Sequence, residues 1–145
     1  MSKTIKTIIV LISLFVVLFL GYLYLRSTPE VALVTDKFEY IEGEYPKIKI
    51  SNNTEEAVCF SSCYPFYLER KDGEWSRYEY DRCREEDKAN YCIEAGGSKT
   101  FEISTPYAKP GIHRVHVGAC LSCEEGQRFT IGENYYSNDF KITSF

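Results

Sequence analysis

The first 26 residues contain no acidic side chain and no cysteine, and after Pro29 no stretch keeps helical periodicity long enough for a helix. These absences divide the chain in two. All 21 acidic residues and all six cysteines follow Arg26, whereas the N-terminal stretch holds only Lys3, Lys6 and Arg26 as charges. Removing those three cations from the 17 leaves 14 against 21 carboxylates, so the remainder carries −7 although the 145-residue chain carries −4. Nucleic-acid binders draw their affinity from clustered Lys and Arg, and this balance argues against such a partner. No GxGxxG, Walker-type or HExxH string occurs, no serine stands in a nucleophile elbow, and no carboxylates have the spacing of a calcium loop. A non-enzymatic protein with no cofactor motif is expected, and its length suits one ordinary domain.

Charge is also absent from Thr7 to Leu25, a run of 19 residues reading TIIVLISLFVVLFLGYLYL. As a helix this run spans about 28 Å, close to the thickness of a hydrocarbon core. Its Ile and Val content would suit a strand in water, but a lone span in lipid must satisfy its own backbone and is helical. Lys3 and Lys6 precede the run and only Arg26 follows it before the acidic part, which places the N-terminus in the cytoplasm. Tyr22 and Tyr24 then fall at the outer headgroup level. Signal-peptide cleavage needs small residues at the −3 and −1 positions, and Leu20–Leu25 offers no such pair. Cys59 lies too far on for a lipoprotein signal, and the run lacks the early glutamate of a pilin leader. The expected organisation is a cytoplasmic tail over 1–6, an uncleaved transmembrane signal anchor over 7–25, a linker over 26–30 and an extracytoplasmic domain over 31–145. Cleavage would export the same domain.

That domain reads as a string of strands separated by turn residues. Val31–Val34 and Lys37–Tyr40 open it, and Lys47–Ser51 alternates strictly, with Ile48 and Ile50 on one face. Asn52-Asn53 turns the chain into Ala57–Phe60. Tyr64–Lys71 and Glu74–Tyr80 flank Asp72-Gly73, a strong hairpin signal that sets Lys71 opposite Glu74. A charged loop, Asp81–Asn90, breaks the pattern. Lys99–Ser104 follows with Phe101 and Ile103 inward, then Ile112–Ala119 with His113, Val115 and Val117 on one face. Phe129–Ile131 is a weak strand, and Ser137–Thr143 closes the domain. This spacing predicts an all-β fold, a two-sheet antiparallel sandwich of seven to nine strands behind one N-terminal transmembrane helix.

The order of these features resembles the immunoglobulin-like domains of prokaryotic exported and membrane-anchored proteins. The residues that carry the likeness are Ile48–Thr54, Phe66–Arg70 with Asp72–Trp75, Glu94–Ser98 before Phe101, Pro110–Val115, and Tyr136–Ile142. Together they run from about Val31 to Ile142. The layout is also similar to the small intracellular proteinase inhibitor of bacilli, another β-sandwich. Such domains are recognition or structural modules and bring no catalytic residue to transfer. The family often carries Tyr after Pro-Gly-x, where this chain has His113.

Cys59, Cys63, Cys83, Cys92, Cys120 and Cys123 make an even set, which in an exported domain points to three disulfides out of 15 pairings. The resemblance implies a link from the Cys59–Cys63 region to the loop after the tryptophan strand, favouring Cys63 with Cys83 or Cys92. Cys120 with Cys123 forms a short local loop. Two other readings use the same residues. Cys59, Cys63, Cys120 and Cys123 have the paired spacing of a four-thiolate zinc site, but no zinc-knuckle turn surrounds them. Cys120-Leu121-Ser122-Cys123 has the form of a redox dithiol, yet Glu124 and Glu125 follow it and would raise a thiol pKa.

His113 and His116 are the only histidines. Three apart on a strand, they face opposite ways and cannot chelate one ion; His113 is expected inside and His116 at the surface. Asn52-Asn53-Thr54 is a glycosylation sequon, which makes Asn52 a modification candidate. Twelve Tyr, nine Phe and one Trp give a heavy aromatic load, mostly for cross-strand packing. Tyr64, Tyr67, Tyr78, Tyr80, Tyr91, Tyr135 and Tyr136 are candidates for an adhesive surface, since Tyr gives contact area at low entropy cost. The candidate contact region is Cys63–Cys92, with Tyr64, Tyr78, Tyr80, Arg82, Arg84 and Tyr91 as its contact residues. The expected function is a membrane-anchored module for recognition or envelope structure, meeting a protein or glycan outside the cell. The alternatives are a membrane-tethered thiol/disulfide protein acting through Cys120 and Cys123, and a protease-inhibitor-like domain by analogy of fold alone.

Overall fold

The computed structural model describes residues 3–26, 29–80, 83–104 and 108–144. Helix α1 covers Lys3–Arg26, 24 residues with no acidic residue in the first turn. Along its middle, Ile8, Leu11, Phe15 and Leu18 are half or more exposed. Among the residues whose side chains are described, no helix is long and apolar enough to cross a membrane.

Eleven strands follow among the described residues: β1 Val31–Thr35, β2 Glu39–Ile41, β3 Lys47–Asn52, β4 Val58–Ser61, β5 Tyr67–Asp72, β6 Glu74–Arg77, β7 Ala89–Ile93, β8 Ser98–Glu102, β9 Gly111–Leu121, β10 Glu133–Tyr136 and β11 Phe140–Thr143. Strands β1, β3 and β8 form a three-stranded sheet in that order. The larger sheet runs β2-β11-β9-β4-β7, with β10 also on β9 and the β5–β6 hairpin docked on β9 through β5. The fold is therefore all-β beyond α1, built as two sheets.

Strand β9 is the spine of the larger sheet. One of its edges receives β11 and β10, and the other receives β5 and β4. Strict alternation sets its two faces: His113, Val115 and Val117 are fully buried toward the core, while Arg114, His116 and Cys120 take the outer face. Val31, Leu33, Ile48 and Ile50 of the smaller sheet join Val58, Phe60, Val115, Val117, Phe140 and Ile142 of the larger one in a single hydrophobic core. Phe60 and Phe101 meet edge to face at 6.5 Å and link the two sheets.

The chain passes from the smaller sheet to the larger between β1 and β2, and Tyr40 pins that crossing. Its hydroxyl donates to Asp36 Oδ1 at 2.6 Å and accepts the Lys37 N–H at 3.0 Å, while Asp36 also accepts the Lys47 N–H. Burial, helped by the bond to Asp36, pushes the Tyr40 phenol up to about 12. Burial alone would raise Asp36 as well, but the hydrogen bonds from Tyr40 and Lys47 outweigh it and hold the carboxyl below its usual value. Strand β2 then runs parallel to β11, the one parallel ladder among the paired strands described.

The hairpin forms one residue out of the expected register. Asp72 lies opposite Glu74 and Lys71 opposite Trp75, with Gly73 alone at the turn at φ 75°. A one-residue slip turns every side chain over. The observed register is the one that sends Leu68 and Tyr78 inward together, with the Tyr78 N–H donating to the Leu68 carbonyl. Lys71 instead lies over the Trp75 ring at 5.6 Å. Strand β7 starts on the last two residues of the expected charged loop and runs on to Ile93, where no strand was expected, and β10 forms two residues after the expected Phe129–Ile131 strand. In β7 only Ala89 and Ile93 are buried, and a register shift opposite Val58/Phe60 hides the alternation.

Candidate functional site

Alternation places one set of side chains from four adjacent strands on the outer face of the larger sheet. Tyr67 and Glu69 come from β5, Trp75 and Arg77 from β6, Arg114 and His116 from β9, and Asn134 and Tyr136 from β10. They interleave cations with rings. Arg77 lies 3.8 Å over the Tyr67 ring, and Arg114 lies 4.2 Å over Trp75 and 4.0 Å over Tyr136. His116 stacks on Tyr136 at 4.8 Å and tilts against Tyr67 at 5.9 Å.

Glu69 anchors this layer from beneath. Its Oε2 accepts from both Nε and a terminal nitrogen of Arg114 at 2.8 Å, and its Oε1 lies 3.2 Å from His116 Nδ1. Arg77 donates to the same Nδ1 at 2.7 Å, which leaves Nε2–H to donate to Asn134 Oδ1 at 2.8 Å. His116 is only 6% exposed although it lies on the outer face, because Tyr67, Tyr136 and Arg77 cover it. The surface placement expected from its strand parity is thus right in direction and wrong in accessibility.

At one end of this face Tyr64, Tyr67 and Tyr80 form a triad. Tyr64 stacks on Tyr67 at 5.7 Å, and Tyr80 meets both edge-on at 5.3 and 6.0 Å. Burial pushes the Tyr67 and Tyr80 phenols up, so both rings stay neutral hydrogen-bonding groups, and Tyr80 Oη accepts the Leu68 N–H at 2.8 Å. With Arg77 and Cys83 they line an open cleft of about 780 Å³. The Cys63–Cys83 disulfide closes its rim. Asp87 orders the other side, accepting Ser61 Oγ–H at 2.8 Å, while Ser61 Oγ accepts the Tyr64 N–H at 2.8 Å.

The sequence-selected contact residues divide. Tyr64 and Tyr80 stand together at the cleft. Tyr78 lines the same cleft, but its hydroxyl turns inward, donating to His113 Nε2 at 3.1 Å and accepting the Lys109 N–H. Tyr91 packs on Phe101 at 6.0 Å, away from the triad, and Arg84 is exposed. Arg82 lies outside the described residues. Glu69, Trp75, Arg77 and Arg114 escaped the sequence reading. The parity of β5 and β6 carries the signal for them, once the hairpin register is set correctly.

His113 is fully buried, and its Nδ1–H donates to the Gly111 carbonyl at 3.0 Å. Burial holds it below its ordinary value, against the pull of that bond. Asn52 is 1% exposed and its side chain is fully engaged. Its amide nitrogen, the atom a glycan would occupy, donates to the carbonyls of Glu56, Ile93 and Glu94 at 2.7, 2.9 and 3.1 Å. The sequon is closed in the folded domain, because burial and not sequence decides its access.

All six cysteines are paired, as Cys59–Cys92, Cys63–Cys83 and Cys120–Cys123. The thiolates of a four-cysteine zinc site are consumed in these bonds, and among the described residues no group of three His, Cys, Asp or Glu gathers for a metal. Cys63–Cys83 is one of the two pairings the resemblance implied for Cys63.

No protein-family model matches this chain, and no curated protein matches it in sequence. Among solved structures it is similar to an alkylpurine DNA glycosylase, AlkC of Pseudomonas fluorescens bound to DNA with an abasic-site analogue, at 12% identity and TM-score 0.34 over 81% of this chain. It is also similar to a β-glucosidase from Listeria innocua in complex with gluconolactone, at 17% identity and TM-score 0.33 over 78% of this chain. The chain spans 31% of the glycosylase and 16% of the β-glucosidase, and likeness at these TM-scores assigns it neither a family nor an activity.

Proposed function

We propose that this chain is a single-pass membrane protein presenting an extracytoplasmic, immunoglobulin-like module for recognition or envelope structure, without enzymatic activity. Its contact surface is the outer face of the larger sheet around Arg77, Tyr64, Tyr67 and Tyr80. The observation that carries this reading is the tyrosine triad at the open cleft, held by the Cys63–Cys83 bond. Three rings and a guanidinium already packed on one another lose little freedom on binding, so their contact area converts efficiently into affinity. The partner is a protein or glycan outside the cell, and aromatic rings suit either surface.

The anchor rests on α1. Its 24 residues span about 36 Å, and its apolar side chains stand around the helix without burying against the domain's core. Lys3 and Lys6 orient it with the domain outside, where three disulfides suit an oxidising compartment. The immunoglobulin-like layout is supported by two sheets sharing one core and by the chain crossing between them after β1.

A photoactivatable residue at position 64 or 80 of the full chain on cells tests the surface, with position 34 on β1 as control. A discrete crosslinked partner from 64 and 80, lost with Arg77→Glu, is the expected result; identical labelling from position 34 sinks the assignment. Cys63→Ser with Cys83→Ser removes about 3 kcal/mol of loop constraint and should weaken the same crosslink. External protease that leaves the domain intact on whole cells would refute the orientation.

A further inference from the structure

Cys92, Cys59 and Cys120 stand in one row across three neighbouring strands. The sheet order β7-β4-β9 puts β4 in the middle, Cys59 of β4 lies directly opposite Cys120 of β9, and Cys59 is bonded to Cys92 of β7. All three leave the outer face, because Val58, Phe60, Ile93 and Ala119 take the core side. A bulge brings Cys92 into the row: β7 gains a residue opposite Cys59, where the register shifts between Val58 and Phe60 and Tyr91 adopts φ 54°. Cys120 is bonded instead to Cys123 in the following turn, whose carbonyl oxygen lies 3.2 Å from Cys59 Sγ. Two disulfides therefore abut. Cys59 has 0% exposure, while Cys120 and Cys123 are half-buried and reachable.

We infer that Cys59 is an exchange centre whose sulfur passes from Cys92 to Cys120 once an external dithiol opens the Cys120–Cys123 bond. Residues directly opposite in an antiparallel pair hold their Cβ atoms about 4.5–5.5 Å apart, close to the roughly 3.5–4.5 Å of a disulfide. Exchange proceeds by a thiolate attacking one sulfur while the other leaves. Three strands in sequence set attacker, centre and leaving group side by side, in the order this displacement needs. The buried centre is shielded from outside thiols, so the neighbouring strand supplies the attacking group.

The chemistry balances in two steps. One thiolate of the external dithiol attacks Cys123 Sγ, and Cys120 leaves as thiolate. The dithiol's second thiol then displaces Cys123, so the reagent departs as its own disulfide and two electrons remain on the protein. Next the Cys120 thiolate attacks Cys59 Sγ. The Cys59–Cys120 bond forms, the Cys59–Cys92 bond breaks, and its electron pair leaves on Cys92 Sγ, which takes a proton from water. The second step involves no net oxidation or reduction. Reduction at one surface pair thus emerges as a free thiol elsewhere. Cys92 lines a surface pocket of about 430 Å³ with Lys99, Glu94 and Glu125, and Lys99 Nζ donates to the Cys92 carbonyl at 2.6 Å.

Cys123→Ser in the full chain leaves Cys120 unpaired with no reductant added. Alkylation followed by peptide mapping without reduction should find Cys59 bridged to Cys120, loss of the Cys59–Cys92 peptide, and the label on Cys92. A label confined to Cys120, with Cys59–Cys92 intact, overturns the inference. Cys120→Ser leaves Cys123, which has no place in the row, and should keep Cys59–Cys92 and take the label on Cys123. Release of Cys92 in that variant too would mean indiscriminate scrambling and would also overturn it. In the unaltered protein, a brief pulse of dithiol quenched with acid should yield labels on Cys123 and Cys92 together; labels on Cys123 and Cys120 would count against exchange.

Discussion

Replacing Asn52 by Ala tests whether this side chain is a structural tie and not a glycan site. Asn52 ends β3 in the smaller sheet, and its amide bonds the Ile93 carbonyl at the end of β7 in the larger one. The same amide reaches the Glu56 carbonyl at 2.7 Å, and its oxygen accepts the Thr54 N–H at 3.0 Å and the Thr54 hydroxyl at 2.7 Å. Net hydrogen bonds contribute about 0.5–1.5 kcal/mol each, so losing the five of this side chain should cost at least about 3 kcal/mol. That is a large part of the roughly 5–15 kcal/mol available to a domain. Guanidinium unfolding followed through Trp75, the single tryptophan, should show the midpoint falling by roughly 1 M. Asn52→Asp should cost at least as much at neutral pH, because a carboxylate would face three carbonyl oxygens and donate to none. Its folded-state pKa would rise above the usual value of about 3.9. The folded form then binds more protons, and the variant regains stability as pH falls. A cost below about 1 kcal/mol for Asn52→Ala would refute the reasoning, as would a glycan on Asn52 of the folded domain from a glycosylating host.

Two further outcomes follow from the outer face and the core. Glu69→Ala should destabilise the domain by about 2 kcal/mol, since it strands Arg114 at 21% side-chain exposure; additive costs for Glu69→Ala and Arg114→Ala in a double-mutant cycle would show that the two do not interact. Burial depresses His113, with the Arg70 charge pushing the same way and the Gly111 carbonyl opposing. The unfolded chain therefore binds the extra proton first, below about 6.5. Stability should be complete above that pH and fall as pH drops toward the folded-state value. His113→Phe should flatten this acid slope in pH-dependent unfolding, and an unchanged slope would place its origin elsewhere.

Ile48 and Ile50 in β3 and Val115 and Val117 in β9 were legible because each alternates against polar neighbours and each is now fully buried. The spacing of the short strands led to the two-sheet layout, which the strand order matches at that coarse level. Strand β7 was not legible: its bulge breaks the period of two, and without it Cys92 has no visible reason to meet Cys59. The hairpin register was misread because a local Asp-Gly signal was weighed above the inward demand of Leu68 and Tyr78. The candidate face depended on that same register, so Arg77 and Glu69 stayed hidden while Tyr64 and Tyr80 were visible as aromatics alone. His116 shows the general limit. Strand parity tells which way a side chain points, but only neighbours from three other strands tell whether anything lies above it.

The crossing from β1 to β2 also sets a timetable. Thr35 bonds Asn138 across 103 residues through two contacts, and β2 completes its ladder only on β11, the last strand of the domain. Pairings this distant in sequence close late, because the loop entropy must be met before the contact forms. Strand β1 can pair early with β3, but β2 waits for the final strand to arrive. Every cysteine lies between those two ends, so each remains open to oxidation and reshuffling for as long as the chain is being delivered. Bond formation and strand closure are in this way ordered in time, with the C-terminal strand as the step that ends the period of choice.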